Sequence, residues 1–315
     1  MNKPYFLITL DTELGWGPTS IEGMKFLKRN EKEAKKVIPK ILSILKENNI
    51  SATWAIVGHL FLEECSKEDC LTWKNKKDNY DPKWYEDPYS NKEKDPLFYC
   101  PDLIEDVLNS KIKQEIGYHS FSHPKFNQIN KDMAEDEIKM SKKIEKDWNI
   151  ELKSFVYPTD EKAYVDILGK YDFNIYRRKP IWYSDRTHFK NLIEGLGNLN
   201  PPPVTPVFKN GLWSINTSMI YYDSLIPFFP IEARVPFTSL PCAKMGLNRA
   251  IKEKSIFHIF LHPWNLLTTE KLEYNLNSFL KYVSKRINNN NIKNVTMNEL
   301  VDELDENFNH KRRCY

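Results

Sequence analysis

The sequence predicts an α/β barrel, and three observations carry that prediction. Short apolar runs alternate with amphipathic, helix-spaced stretches along nearly the whole chain. There are about seven such strand–helix units, which suits a closed parallel barrel better than an open sheet. Three of the apolar runs end in chemistry-bearing polar residues, as barrel strands do at the rim that carries function.

The elements follow in order. "YFLITL" (Tyr5 to Leu10) is a buried strand that ends in acids. In the charged segment after it, Val37, Ile38, Ile41, Leu42 and Leu45 lie on one helix face, and Pro39 must sit in the first turn or kink the helix. "SATWAIVG" (Ser51 to Gly58) is the next strand. Residues 64–100 are polar, carry Pro82, Pro88 and Pro96, and read as an insertion over one mouth of the fold. "PDLIEDVLNSKI" opens a helix at Pro101. "EIGYHS" is a strand, residues 130–148 a helix, "KSFVYP" a strand, "EKAYVDILGKY" a helix and "FNIYR" a strand. Across 178–250 the pattern weakens, which marks a second insertion with an irregular "NPPPVTPVF" and a short strand at "TSMIYY". "SIFHIFLHP" is a strong strand and "TEKLEYNLNSFLKYVSKRI" a strong helix, and "NVTM" with "NELVDEL" gives the last pair. With no internal repeat or linker, residues 1–315 read as one barrel domain.

Composition excludes several classes. A hydrophobic content of 41% and a charged content of 28% are those of a folded, soluble chain. The net charge of +3 is small, and the only basic block is the terminal "HKRRCY", so neither nucleic acid nor an anionic membrane is an expected partner. No apolar run is long enough to span a membrane, and "MNKPYFLITLDTE" does not read as a secretion signal. Five cysteines without a CxxC suit reduced thiols and a cytoplasmic location. Cys65, Cys70 and Cys100 read as loop residues, and their spacing does not support a zinc knuckle.

The chemistry sits at three strand ends. In "LDTELGWG", Asp11 and Glu13 share a face if the strand continues, so one can hold a metal while the other takes a proton. A solvated strand end with two unrelated acids is the plain alternative. In "YHSFSHP", His119 and His123 are four apart and fall on one side if the segment turns helically. Two imidazoles and one carboxylate form an open zinc set, although ordinary core or surface histidines would leave the same pattern. His262, after "SIFHIFL" and before Pro263, stands at a third strand end, where a buried structural histidine is the alternative. His258, deeper on the same face, reads as structural.

Together "LDTELGW", "HSFSHP" and "FLHPW" resemble the motifs of the NodB-like polysaccharide deacetylases, carbohydrate esterase family four. The resemblance implies a distorted (β/α)7 barrel. It makes Asp11 the catalytic base, Glu13, His119 and His123 the ligands of a divalent metal (zinc foremost), and His262 the acid that protonates the leaving nitrogen. A backbone N–H near Thr159, and Trp264, are expected at the oxyanion or substrate. The implied function is removal of an N-acetyl group from an amino sugar, carried on a polysaccharide or on a nucleotide- or lipid-linked precursor. Other amide hydrolysis on the same barrel (formamide, cyclic imide, ureide) and non-catalytic sugar binding are the alternatives. Self-association stays open.

There are departures from the family pattern. Thr12 separates the two acids, and Val156 stands where an arginine often orients the base, which predicts a raised pKa for Asp11. The family's Asp–Trp support for the acid has no match, Trp182 and Asp185 being in the wrong order. Trp73, Trp84, Tyr85 and Trp213 are candidates for stacking on sugar rings or for the core.

Overall fold

The computed structural model describes residues 3–18, 20–66, 87–180, 200–222, 224–228, 233–237 and 239–313. The elements run β1 (Tyr5–Thr12), α1 (Ile21–Arg29), α2 (Glu31–Asn48), β2 (Thr53–Ile56), α3 (Pro101–Leu108), β3 (Glu115–Tyr118), α4 (Lys131–Trp148), β4 (Ser154–Val156), α5 (Val165–Lys170) and β5 (Ile175–Arg178). Then come β6 (Val207–Lys209), β7 (Leu212–Asn216), β8 (Met219–Ile220), β9 (Ser224–Phe228), β10 (Ala233–Phe237), α6 (Ser239–Glu253), β11 (Ile256–Leu261), α7 (Glu270–Asn288), β12 (Lys293–Asn294) and α8 (Met297–Arg313).

The main sheet is parallel in the order β7-β5-β4-β3-β2-β1-β11-β8, with β6 antiparallel on β7 and β12 beside the start of β1. Its two ends are neighbours in the chain: β7 ends at Asn216 and β8 begins at Met219. The sheet therefore has to curl until its ends meet. The Ser218 N–H donates to the His258 carbonyl at 2.6 Å and the Tyr221 N–H to that of Phe260 at 2.7 Å, which seats the returning chain on β11. This curled sheet is the expected distorted (β/α)7 barrel. The apparent insertion at 178–250 supplies part of the wall: β7 pairs with β5, β8 pairs with β11, and α6 packs on β11. Its sequence pattern is weak because β8 has only two residues and β7 reads "LWSIN".

Side-chain parity decides what reaches the barrel interior. On β1, Phe6, Ile8 and Leu10 pack with the helix layer, among them Ile41, Leu45, Leu276 and Phe279, whereas Tyr5 and Leu7 belong to the inner cluster. Each such fully buried apolar side chain contributes about 1.5–3 kcal/mol. Strand alternation then sends Thr9 and Asp11 inward. On β11 the same rule puts Phe257, Ile259 and Leu261 outside and Ile256 inside, so His258 and Phe260 also face in. On β5, Arg177 shares the face of Ile175.

Local signals hold the helices. The Asn130 side chain caps α4 by accepting from the Met133 N–H at 2.9 Å, and α2 and α4 end on left-handed Asn49 and Asn149. Pro39 lies well inside α2, not in its first turn, at a general cost of about 3 kcal/mol that the buried face of Val37, Ile38, Ile41 and Leu45 offsets.

Candidate active site

Asp11, His119, Thr159, Asp160, Arg177 and His262 all stand at or just beyond the C-terminal ends of parallel strands, the functional rim of such a barrel. Glu13 follows one residue after β1. The strand stops at Thr12, and Glu13 begins a tight turn at Leu14–Trp16. Its shared side with Asp11 is thus made by a turn, not by continued strand. That turn needs Gly17: a Cβ there would lie 1.9 Å from Glu13 Oε2.

His119 and His123 do converge, but not on a helix. The chain between them is a loop in which Ser120 and His123 have φ of 60° and 59°. Buried Glu137, from α4, pins this loop. Its Oε2 accepts the N–H groups of Phe121 and Ser122, each at 2.8 Å, and its Oε1 accepts the Ser122 hydroxyl. The Ser120 hydroxyl accepts the His123 N–H at 3.0 Å. Such local bonds replace helix formation and offset the left-handed backbone.

Glu13 Oε1 is the hub of the site. It lies 3.1 Å from His119 Nε2, 3.0 Å from His123 Nε2 and 3.5 Å from His262 Nε2. His119 Nδ1–H donates to the Val156 carbonyl at 2.8 Å, so a neutral ring aims its Nε2 lone pair at the Glu13 carboxylate. A divalent cation or a proton between the two groups makes that contact favourable. His123 Nε2 is buried and, despite its proximity, is not aligned for a hydrogen bond. An orphaned imidazole nitrogen, a second nitrogen fixed by a backbone carbonyl and a buried carboxylate suit a divalent metal such as zinc.

Asp11 is gripped by Arg177, whose Nη1 and Nη2 donate to Oδ1 and Oδ2 at 2.5 and 2.6 Å. Arg177 also donates to Thr9 Oγ1 at 3.1 Å and Asp160 Oδ1 at 3.2 Å, and its guanidinium lies 4.3 Å from the Phe260 ring. Burial alone would raise the pKa of Asp11, but Arg177 outweighs it and holds the carboxyl below its usual range. This corrects the expected rise. The partner of Val156 across the β4–β5 ladder is Arg177, which reaches the Asp11 carboxylate from the next strand. Asp160 is held above its usual value by burial, against the pull of Arg177.

His262 leaves β11 with its N–H donating to Asn265 Oδ1 at 3.0 Å. The Trp264 indole lies against its ring at 5.3 Å between centroids. Burial alone would lower its pKa, but Glu13 and Asp11 outweigh that and push it up to about 9. His258, fully buried, is pulled down to about 3, chiefly by burial and then by Arg177, so it is neutral. Its bonds to Thr9 Oγ1 and the Asn216 carbonyl mark it as structural.

A cleft of about 270 Å³ opens over these groups, lined by Asp11, Glu13, His123, Thr159, Asp160, Arg177, His262 and Trp264, among others. Thr159, exposed at a backbone φ of 54°, forms part of its wall. Trp213 is elsewhere: it is buried in the inner cluster with its indole N–H on Asp305 at 3.0 Å, which makes it a core residue. Trp73, Trp84, Tyr85, Trp182 and Asp185 lie outside the described residues. No described helix is long and apolar enough to cross a membrane.

A curled parallel sheet with its polar residues at this rim has the architecture of a distorted (β/α)7 barrel. A family model for polysaccharide deacetylase matches residues 26–169, somewhat under half of the chain. The matched stretch includes His119, His123 and Thr159; Asp11 and Glu13 lie before it, and Arg177 and His262 after it. Among solved structures, a candidate polysaccharide deacetylase from Mycobacterium smegmatis is similar over 98% of this chain and 92% of its own, at 13% identity and a TM-score of 0.63. The peptidoglycan deacetylase PdaC from Bacillus subtilis, in a mutant form, aligns over 99% and 98% at 13% identity, with a TM-score of 0.45. No curated protein sequence matches the chain.

Proposed function

We propose that the protein is a metal-dependent hydrolase that removes an N-acetyl group from an amino sugar, with Asp11 as base, His262 as acid and Glu13, His119 and His123 as metal ligands. The observation that carries this reading is the hub at Glu13: one buried carboxylate oxygen faces three imidazole nitrogens, with an arginine-held carboxylate beside them. The match of residues 26–169 to a polysaccharide deacetylase family model supports the substrate class.

A divalent metal at the triad supplies Lewis acidity and lowers the pKa of a bound water. Asp11, ionised under the hold of Arg177, keeps lone pairs beyond the two that the guanidinium occupies, and with one of them accepts a proton from the attacking water. His262, raised by its carboxylate neighbours, carries a proton for the departing nitrogen, without which an amine does not leave. Thr159 and Trp264 line the cleft wall, which supports their reading as substrate contacts. Arg177 acts through Asp11, positioning the base by its two hydrogen bonds.

The test is an acetate-release screen over N-acetylated amino sugars with metal-stripped and metal-restored protein. Acetate that appears only on metal restoration supports the reading. Formate or ammonia from other amides, with no acetate, would move the protein to a different amide hydrolysis.

A further inference from the structure

We propose a second metal site, built for zinc, from His59, Cys65 and Asp87. It is separate from the rim cluster, and the proposal does not rest on the proposed activity. One donor atom from each of the three residues lies within 4.8 Å of the others, and all three residues are buried. His59 sits in the tight turn Gly58–Phe61 directly after β2. Cys65 and Asp87 come from the two ends of the polar stretch that follows.

The wiring of His59 repeats that of His119. Its Nδ1–H donates to the Phe121 carbonyl at 2.8 Å, as His119 Nδ1–H does to that of Val156. In a neutral ring this leaves the Nε2 lone pair facing a carboxylate, Asp87 Oδ2, at 3.0 Å. The ring is fixed between Trp16, stacked at 4.2 Å, and Phe121 at 4.0 Å. Asp87 is oriented from behind, where its Oδ1 accepts the Tyr99 hydroxyl at 2.5 Å and the Tyr89 N–H at 2.9 Å. An imidazole tied back to a carbonyl and a carboxylate held by its other oxygen are the outer contacts that orient metal ligands.

The donor chemistry selects the ion. Nitrogen, sulfur and oxygen donors together suit zinc, whereas magnesium and calcium take oxygen. On binding, the Cys65 thiol loses its proton to solvent and the sulfur bonds the ion. Thiolate, carboxylate and neutral imidazole together carry two negative charges, which match the two positive charges of the ion. The ion would clip both ends of residues 65–87 to the end of β2, and through Phe121 to the loop that carries His119 and His123. Cysteine spacing alone hides such a site because only one of its donors is a cysteine.

The experiment is metal stoichiometry on the reduced full-length chain, loaded with zinc and separately with cobalt(II). A thiolate ligand gives cobalt a near-ultraviolet charge-transfer band, which the cysteine-free rim site does not produce. Wild type is expected to bind two equivalents and show the band, and His119→Ala to keep one equivalent with the band. Cys65→Ser should lose the band and one equivalent, and Asp87→Asn should weaken that equivalent at least tenfold if Cys65→Ser fails to fold. An absent band in folded wild type, or a band that survives Cys65→Ser, would overturn the proposal and leave a protonated His59–Asp87 pair. An empty rim site beside an intact band would count against the proposed activity alone.

Discussion

The Arg177 guanidinium closes on both carboxylate oxygens of Asp11, at 2.5 and 2.6 Å, across 166 positions of sequence. Both groups are buried, so the pair is strongly coupled to the fold. Arg177→Met leaves Asp11 buried and unpaired, which costs about 3–5 kcal/mol at neutral pH. In wild type the depressed pKa of Asp11 stabilises the fold above the ordinary value of 3.8, and that contribution is lost as pH falls below it. In the variant the pKa of Asp11 rises, so the acidic limb of kcat/KM moves up in pH and the stability deficit shrinks on acidification. Urea midpoints at neutral and acidic pH, together with the rate profile, check both. An unmoved acidic limb would remove Arg177 from the role of holding the base.

Glu137 fixes the backbone of Phe121 and Ser122 through three accepted hydrogen bonds. Glu137→Gln turns an amide N–H toward those donors and loosens the loop between His119 and His123. Metal affinity at the rim should fall by about 10–100-fold. Competition with a chelator measures it. Unchanged affinity with a lower Tm would confine Glu137 to general stability.

Gly17 is required by close approach, since its backbone φ of −83° is open to any residue. Gly17→Ala drives a methyl group into the Glu13 carboxylate and should weaken rim metal binding while the fold holds. Calorimetric titration with zinc reads this directly, and wild-type affinity would show that Glu13 has room to spare.

Much of this is legible in the sequence. The strand β1 and its acids, the strand β11 and its histidine, and the "HSFSHP" pair are long or specific enough to stand out. Arg177 is not, because "FNIYRR" puts an arginine at a strand end like any other, and only the β4–β5 ladder brings it beside Val156. Glu137 is one acid among many on a polar helix, and its inward aim depends on where α4 packs. The spacing of His119 and His123 suggests a helix where the chain forms a loop, because spacing reports which residues meet, not the backbone path between them. Strand β7 escapes notice because Asn210, Gly211 and the prolines before it break the alternation.

His262 owes its pKa of about 9 first to Glu13 among its raising neighbours. A metal that engages Glu13 withdraws that support, so the pKa of His262 should fall when zinc is added to metal-free protein. An NMR titration of the ring, with and without zinc, checks the sign. His262→Ala should keep rim metal and lose about 10²–10⁴ in kcat. A pKa that zinc does not move would separate His262 from the rim cluster.

Acetate release by metal-loaded Asp11→Asn, beside wild type on the same N-acetylated amino sugar, tests the central claim most directly. The side chain keeps its size, and Glu13, His119 and His123 remain to hold the metal. The account predicts full rim metal and turnover reduced by about 10²–10⁴, the usual share of general base catalysis. Turnover equal to wild type at full metal loading would contradict it.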